Sequence, residues 1–239
     1  MPARSLHHEP HAASAELSPL SANGRPSPPP LRLNLGCGHV QPAGWVNVDD
    51  SYRAWLVSRL PLLDRLLVRL RLLPVTEFTR HVTYFNVGRR FPWPDGSAQA
   101  VYLGEILEHF TPEAGARVVR ECFRVLQPGG VIRIRVPDNA RFWARYLEEF
   151  ERTRQRPRDE WTVEHTRWVK MFFEQICVRK RLFSSMGHFH KWMYDEISLI
   201  KLLESVGFRA ADRMPFHQSR IADIAAVEIR DDLIVEAVK

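Results

Sequence analysis

The sequence predicts an α/β domain built on a mostly parallel sheet. Short apolar runs alternate with helical segments along the chain, the pattern of strand-helix-strand units. In "LRLNLGCGHVQPAGWVNVDD", residues 31–50, the first apolar run meets two glycines, Gly36 and Gly38, and the next run ends in an acid, Asp49. Glycine after a strand turns the backbone tightly and lets a ligand approach with no Cβ in the way. A carboxylate ending the next strand can accept two ribose hydroxyls.

The elements follow in order. Leu31–Leu35 reads as a buried strand, 45–48 as a second ending at Asp49, 81–85 as a third and 100–103 as a fourth before Gly104. A helix spans 112–126, with Thr111 as N-cap and Pro112 in the first turn. Gln127-Pro128-Gly129-Gly130 stops it. The run 131–136, Val-Ile-Arg-Ile-Arg-Val, alternates as a fifth strand. A further helix, 195–206, stops at Gly207. Strands 208–214 and 233–238 complete a seven-stranded sheet as an antiparallel hairpin. Parallel sheets bind ligands at the carboxyl ends of their strands, and Gly36, Asp49, Asn86 and Glu105 all fall there.

The chain has 239 residues, enough for one domain with a full core. Residues 1–30 carry seven prolines and little that could form a core, and read as a disordered tail before a domain at 31–239. Two segments, 51–74 and 139–194, break the alternation and read as helical lid insertions over the ligand edge, the second with helical pattern at 141–150 and 160–179. In the first, Leu56, Leu60, Leu63, Leu67 and Leu70 follow helical spacing among Arg53, Arg59, Arg65, Arg69 and Arg71. Pro61 divides it into a kinked pair. Its leucines are expected to pack on the core as a lid. The alternative is a basic amphipathic helix lying on an anionic membrane.

The net charge of +6 permits anionic partners without choosing one. Cys37, Cys122 and Cys177 are far apart and form no CxxC pair, so neither a disulfide framework nor a cysteine zinc site is expected. No apolar run is long enough to span a membrane, and no secretory signal pattern opens the chain, which points to the cytoplasm.

The glycine loop is not a dinucleotide fingerprint, because its third glycine position is Gln41. No GK[ST] follows, which excludes a P-loop. The loop is too short for a helix that would hold a pyrophosphate, so an adenosine ligand without a diphosphate fits best.

These residues resemble the class I S-adenosylmethionine-dependent methyltransferases, of the type 11 kind. "LNLGCG" looks like their motif I and "VNVDD" like the acidic end of their second strand. "YFNVGRRFPWPDGSAQAVYLGEILEHF" resembles their central block and "RECFRVLQPGGVIRIRVPD" their post-motif block. "GHFHKWMYDEISLIKLLESVGF" and "LIVEAVK" resemble one subgroup of predicted methyltransferases, a resemblance that suggests a small-molecule or glycan acceptor. The resemblance implies a Rossmann-like fold and S-adenosylmethionine as cofactor. It implies that Gly36 and Gly38 meet the methionyl and ribose portion, Asp49 the ribose hydroxyls, Asn86 the adenine amino group and Glu105 the methyl-donor end, with Cys37 and Val87 also binding the cofactor. Asn34 is a further cofactor-binding position: it stands where an acid is commoner, and its side-chain oxygen can still accept from the cofactor amine, while Gln99 replaces a frequent Asp.

The implied reaction is methyl transfer to a small-molecule or glycan acceptor, with O-methylation the default. Candidate bases are His109, His188, His190 and Asp138, each also readable as structural; Tyr194 is a further candidate on the substrate side. Glu108-His109 reads as the start of the chain's exit toward a helix, with the imidazole bonded to a neighbouring loop. His188 and His190, two apart, would make half of a metal site, but no acid-rich cluster adjoins them in sequence, so no metal is expected. A non-catalytic, cofactor-binding scaffold is the alternative function, motivated by Asn34, Asn86 and Gln99. Nucleic-acid methylation rests on charge alone and lacks an N-P-P-Y type signature after the fourth strand, where "GEILEH" stands.

Overall fold

A computed structural model describes residues 31–73, 81–177 and 189–239. The expected tail, residues 1–30, lies outside the described residues, as does His188.

The sheet has seven strands: β1 (Leu31–Leu35), β2 (Val46–Asp49), β3 (Thr83–Tyr84), β4 (Ala98–Gly104), β5 (Leu126–Val136), β6 (Arg209–Arg213) and β7 (Leu233–Val238). Their order is β3-β2-β1-β4-β5-β7-β6. β7 alone runs opposite to the other six strands. This is the mostly parallel α/β sheet expected from the alternation of elements, and the Rossmann-like fold that the resemblance implies. The helices are α1 (Tyr52–Arg59), α2 (Pro61–Arg69), α3 (Pro112–Val125), α4 (Asn139–Arg154), α5 (Thr166–Cys177) and α6 (Glu196–Val206).

Local chemistry sets the boundaries. Thr111 caps α3, accepting from the Ala114 amide at 3.4 Å. Asp195 and Ser198 form a reciprocal capping box on α6, and Gly207 ends that helix in the left-handed region at φ 111°. β5 begins earlier than expected, because the Gly129 amide donates to the Lys239 carbonyl and the Lys239 amide returns to Gly130. The glycine turn is thereby drawn into the ladder with β7. β3 is shorter than expected, with only Val48↔Thr83 and Asp49↔Tyr84 in register.

One face of the sheet packs on α3 and α6 through Leu33, Leu35, Val101, Leu103, Ile132 and Ile134, Val118, Val119 and Cys122, and Leu199 and Leu203. The other face is covered by residues 215–228, through Ile221, Ile224 and Val227 against Trp45, Ala100 and Tyr102. The alternating arginines of β5 point to this second face and are buried. Arg133 is 0% exposed. Its guanidinium donates to both Glu228 oxygens at 2.8 Å, to Glu236 at 3.1 Å, and to the carbonyls of Gln218 and Pro215 at 2.8 and 3.1 Å. Every guanidinium hydrogen has an acceptor, and these bonds pin the covering loop to the sheet.

Residues 51–73 form the kinked pair expected from Pro61, but their leucines differ from expectation. Ala54, Leu56 and Val57 of α1 are buried. On α2 only Asp64 is buried, held by Arg53 at 2.9 Å. Leu62, Leu63 and Leu66 are exposed, as are Leu70 and Leu72 beyond the helix end. Pro61 restarts the helical phase, and the Arg53–Asp64 pair turns the polar edge of α2 inward. The expectation of one core-facing leucine stripe is corrected: it holds for Leu56 and fails along α2.

Removing Arg133 would leave the buried Glu228 carboxylate without its counter-charge, while Glu236 would keep Arg220 at 3.3 Å. Arg133→Met should lower unfolding stability by about 3–5 kcal/mol, the usual cost of breaking a buried ion pair. Urea denaturation measures it. A loss below about 1 kcal/mol would show that the network does not hold the covering loop.

Candidate functional site

The chain leaves β1 and β4 at the same edge, where strand order reverses and α/β sheets open a crevice. After β1, Gly36 and Gly38 have φ of 69° and 50°, which glycine adopts without strain. They serve different ends. A Cβ on Gly36 would lie 2.6 Å from the Ile106 side chain, whereas a Cβ on Gly38 would meet nothing within 4 Å. Gly36 lets two loops touch; Gly38 presents bare backbone to open space.

The loop is held from below by two buried amides. Asn34 donates through Nδ2 to the Val40 carbonyl at 2.8 Å and to Asn47 Oδ1 at 2.9 Å. Asn47 donates to the carbonyls of Pro42 at 3.1 Å and Trp45 at 3.2 Å. Both Asn34 amide hydrogens are therefore used inside the protein, so it shapes the loop. The residues between β1 and β2 contain no helix, as their number required.

Asp49 closes the loop. One carboxylate oxygen accepts from the Gly38 amide at 3.0 Å and the other from the Ser51 amide at 2.8 Å. Each keeps a lone pair for a further donor. Cys37 donates its amide to the Val48 carbonyl at 3.0 Å. Burial first, and the Asp49 charge second, push the Cys37 thiol up, away from any thiolate role. Asn86 accepts from the Gly88 amide at 2.9 Å and donates to Asp50 at 3.0 Å. Burial and the Asp49 charge raise the Asp50 carboxyl. The Val87 side chain belongs to the core, so only its backbone is available to a ligand.

Glu105, just past β4, has φ 53°, unusual for a residue with a side chain. It accepts from Arg135 at 2.7 Å and Arg230 at 3.2 Å. A 3-10 turn follows, Leu107–His109. Glu108 is 1% exposed. Neither of its carboxylate oxygens has a hydrogen-bond partner among the described residues, and burial pushes this carboxyl up to about 8. His109 Nδ1 lies 3.2 Å from the Phe189 carbonyl, the loop contact expected of it. Its ring meets that of His190 edge-on at 5.1 Å. The amides of Lys191 and Trp192 both donate to the Glu108 carbonyl, at 2.8 and 3.2 Å. One ligand atom from each of Glu108, His109 and His190 lies within 4.8 Å of the others. Tyr194 is buried nearby, its hydroxyl without a hydrogen-bond partner among the described residues. Burial, then the Glu108 charge, push that hydroxyl up to about 12.

The structure thus sorts the sequence candidates. It brings together Gly36, Gly38 and Asp49, and separately His109 and His190. It supplies Glu108 to His190, an acid that sequence proximity did not offer. Asp138 is engaged on both oxygens: one caps α4 by accepting from the Arg141 amide at 3.0 Å, the other pairs with Arg213 at 2.9 Å. Asn47, Arg135 and Arg230 were not singled out from sequence; a buried Asn at mid-strand and alternating arginines were the available signals.

Residues 33–134 match the family model for the methyltransferase domain. A stretch of 51 residues, 21% of this chain, is 41% identical to a Mycolicibacterium smegmatis protein named "Probable S-adenosylmethionine-dependent methyltransferase" and covers 19% of that protein's length. Among solved structures, the chain is similar to a SAM-dependent methyltransferase of Archaeoglobus fulgidus, at 13% identity over 87% of this chain and 85% of that one, TM-score 0.46. It is also similar to one from Methanosarcina mazei, at 17% identity over 87% and 91%, TM-score 0.45. A third likeness is to the Burkholderia thailandensis 1,6-didemethyltoxoflavin-N1-methyltransferase, solved with S-adenosylhomocysteine, at 15% identity over 88% and 71%, TM-score 0.42. Both sequence matches are to methyltransferases, and the Mycolicibacterium smegmatis protein is the one named for S-adenosylmethionine.

The two glycines should respond differently to alanine. Gly38→Ala should cost about 1–2 kcal/mol, the penalty of a side chain in the left-handed region. Gly36→Ala should cost about 1–3 kcal/mol more through its clash with Ile106, and Ile106→Ala should recover part of that excess. Urea midpoints check this. Equal losses at both glycines would contradict the packing assigned to Gly36.

Proposed function

We propose that the protein is an S-adenosylmethionine-dependent methyltransferase acting on the hydroxyl of a small molecule or a glycan. The observation that carries the reading is the cradle at the end of β1 and β2. Gly38 offers backbone facing open space, and Asp49 offers carboxylate lone pairs beside it. Gly36, Cys37 and Gly38 would line the methionyl and ribose portion and Asp49 would take the ribose hydroxyls. Asp50 and Asn86 border the adenine end, and Glu105 the methyl end.

S-adenosylmethionine supplies a sulfonium methyl; its carbon–sulfur bond breaks with the electron pair left on sulfur as a carbon–oxygen bond forms in line. The chain's contribution is alignment of donor and acceptor, which can account for much of the acceleration. The acceptor hydroxyl must also lose its proton. His109 is the proposed base: a carbonyl only accepts, so Nδ1 carries the hydrogen toward Phe189, and in the neutral form of the ring the lone pair lies on Nε2. Glu108 and His190 adjoin it. The alternative reading is a cofactor-binding scaffold without catalysis. It is motivated by Asn34 and Asn86, each an amide where the resembled family commonly has an acid.

No helix among the described residues is long and apolar enough to cross a membrane. α2 and its end nonetheless expose Leu62, Leu66, Leu70 and Leu72 beside Arg65 and Arg69, which supports peripheral contact with an anionic lipid surface. Vesicles rich in anionic lipid should sediment the wild type and not an Arg59/Arg65/Arg69→Glu variant; equal sedimentation of both, or of neither, counts against the contact.

Asp49→Ala should weaken S-adenosylhomocysteine binding about tenfold or more in a calorimetric titration, since hydrogen bonds to a charged group contribute about 1.5–3 kcal/mol. Unchanged affinity would remove Asp49 from the ribose. Tight cofactor binding with no turnover across sugar and phenol acceptors would favour the scaffold.

A further inference from the structure

We infer that Glu108, His109 and His190 form a binding site for a divalent first-row transition-metal ion, beside the methyl end of the proposed cofactor site. Two imidazoles and one carboxylate are a donor set that such ions accept, and three protein ligands leave positions open. The ligand atoms lie within 4.8 Å of one another. Around an ion with bonds of about 2.1 Å, ligands stand roughly 3–3.5 Å apart, so small side-chain rotations close the set.

Glu108 is the second observation, independent of the clustering. A carboxylate 1% exposed, with no hydrogen-bond partner for either oxygen among the described residues, is costly to bury. A cation held between this carboxylate and the two imidazoles would satisfy it. His109 is prepared for the same role. Its Nδ1–H is directed to the Phe189 carbonyl, the arrangement by which metal-binding histidines fix their tautomer and present Nε2. The frame is rigid too: the two amides after His190 clasp the carbonyl of Glu108, tying together segments far apart in sequence. Nothing near His190 in the sequence announced this, because the acid and the second imidazole come from the turn after β4.

The ion's use rests on the methyl-transfer reading; its binding does not. An acceptor hydroxyl on one of the open positions would lose its proton to solvent at a lower pH than when unbound. The oxygen would then attack the methyl carbon, and in the ion-bound protein His109 would be a ligand in place of the base role that it has in the ion-free one.

Co2+ is the probe. The full chain, stripped with chelator, should bind one equivalent with the visible d–d absorption of a low-symmetry site. His109→Ala and His190→Ala should each abolish that band, and Glu108→Gln should lower Co2+ affinity about tenfold or more. Each variant should keep the wild-type circular-dichroism spectrum, which shows that it is folded. Whether or not S-adenosylhomocysteine binds the wild type, the metal result stands by itself. Failure of the wild type to bind Co2+ would overturn the site. Retention of the band in all three variants would overturn it as well, and place the ion on other histidines, such as His7, His8 and His11.

Discussion

Two neighbouring parallel strands, β1 and β4, must send the chain away from the sheet at the same edge, and the functional groups gather where they part. Ile106, beyond β4, presses on the loop after β1 so closely that Gly36 has no space for a side chain. Gly38 and Asp49, with open backbone and a carboxylate, stand at the ends of β1 and β2, and Glu108, His109 and His190 meet at the turn after β4. Asp49 is fixed by two amides, and Glu108 by the two that clasp its carbonyl.

Charge is buried in two ways with opposite consequences. The Arg133 network is complete, each donor matched by an acceptor, and it attaches a loop without offering chemistry. Glu108 is incomplete among the described residues, and an incomplete buried carboxylate is where a protein keeps reactivity or an ion. Asp138, by contrast, is spent on a helix cap and on Arg213, so its place just past β5 has a structural explanation.

Much of this was legible in the sequence because it depends on local rules. The period-two strands, the Thr111 cap, the Gly207 stop and the Pro61 kink all follow from nearby residues, and so does the loop too short for a helix. The ends of β3 and β5 were not legible, since they depend on partners across the sheet: β5 extends because Lys239 reaches its glycine turn. Exposure on α2 was misjudged because leucine spacing tells which residues share a face and not whether that face finds a core. Within the site, Gly36, Gly38 and Asp49 could be read from one short stretch. Glu108 with His190 could not, because the pairing crosses 82 positions and exists only once the segment after α5 folds back on the turn after β4.

The central claim is that the crevice between the ends of β1 and β4 receives an adenosyl ligand. Hydrogen–deuterium exchange with and without saturating S-adenosylhomocysteine tests it most directly. The account predicts slowed exchange at 36–51, 86–88 and 104–109, with β6 unchanged. Slowing confined to other segments, or none once binding is shown by other means, would contradict it.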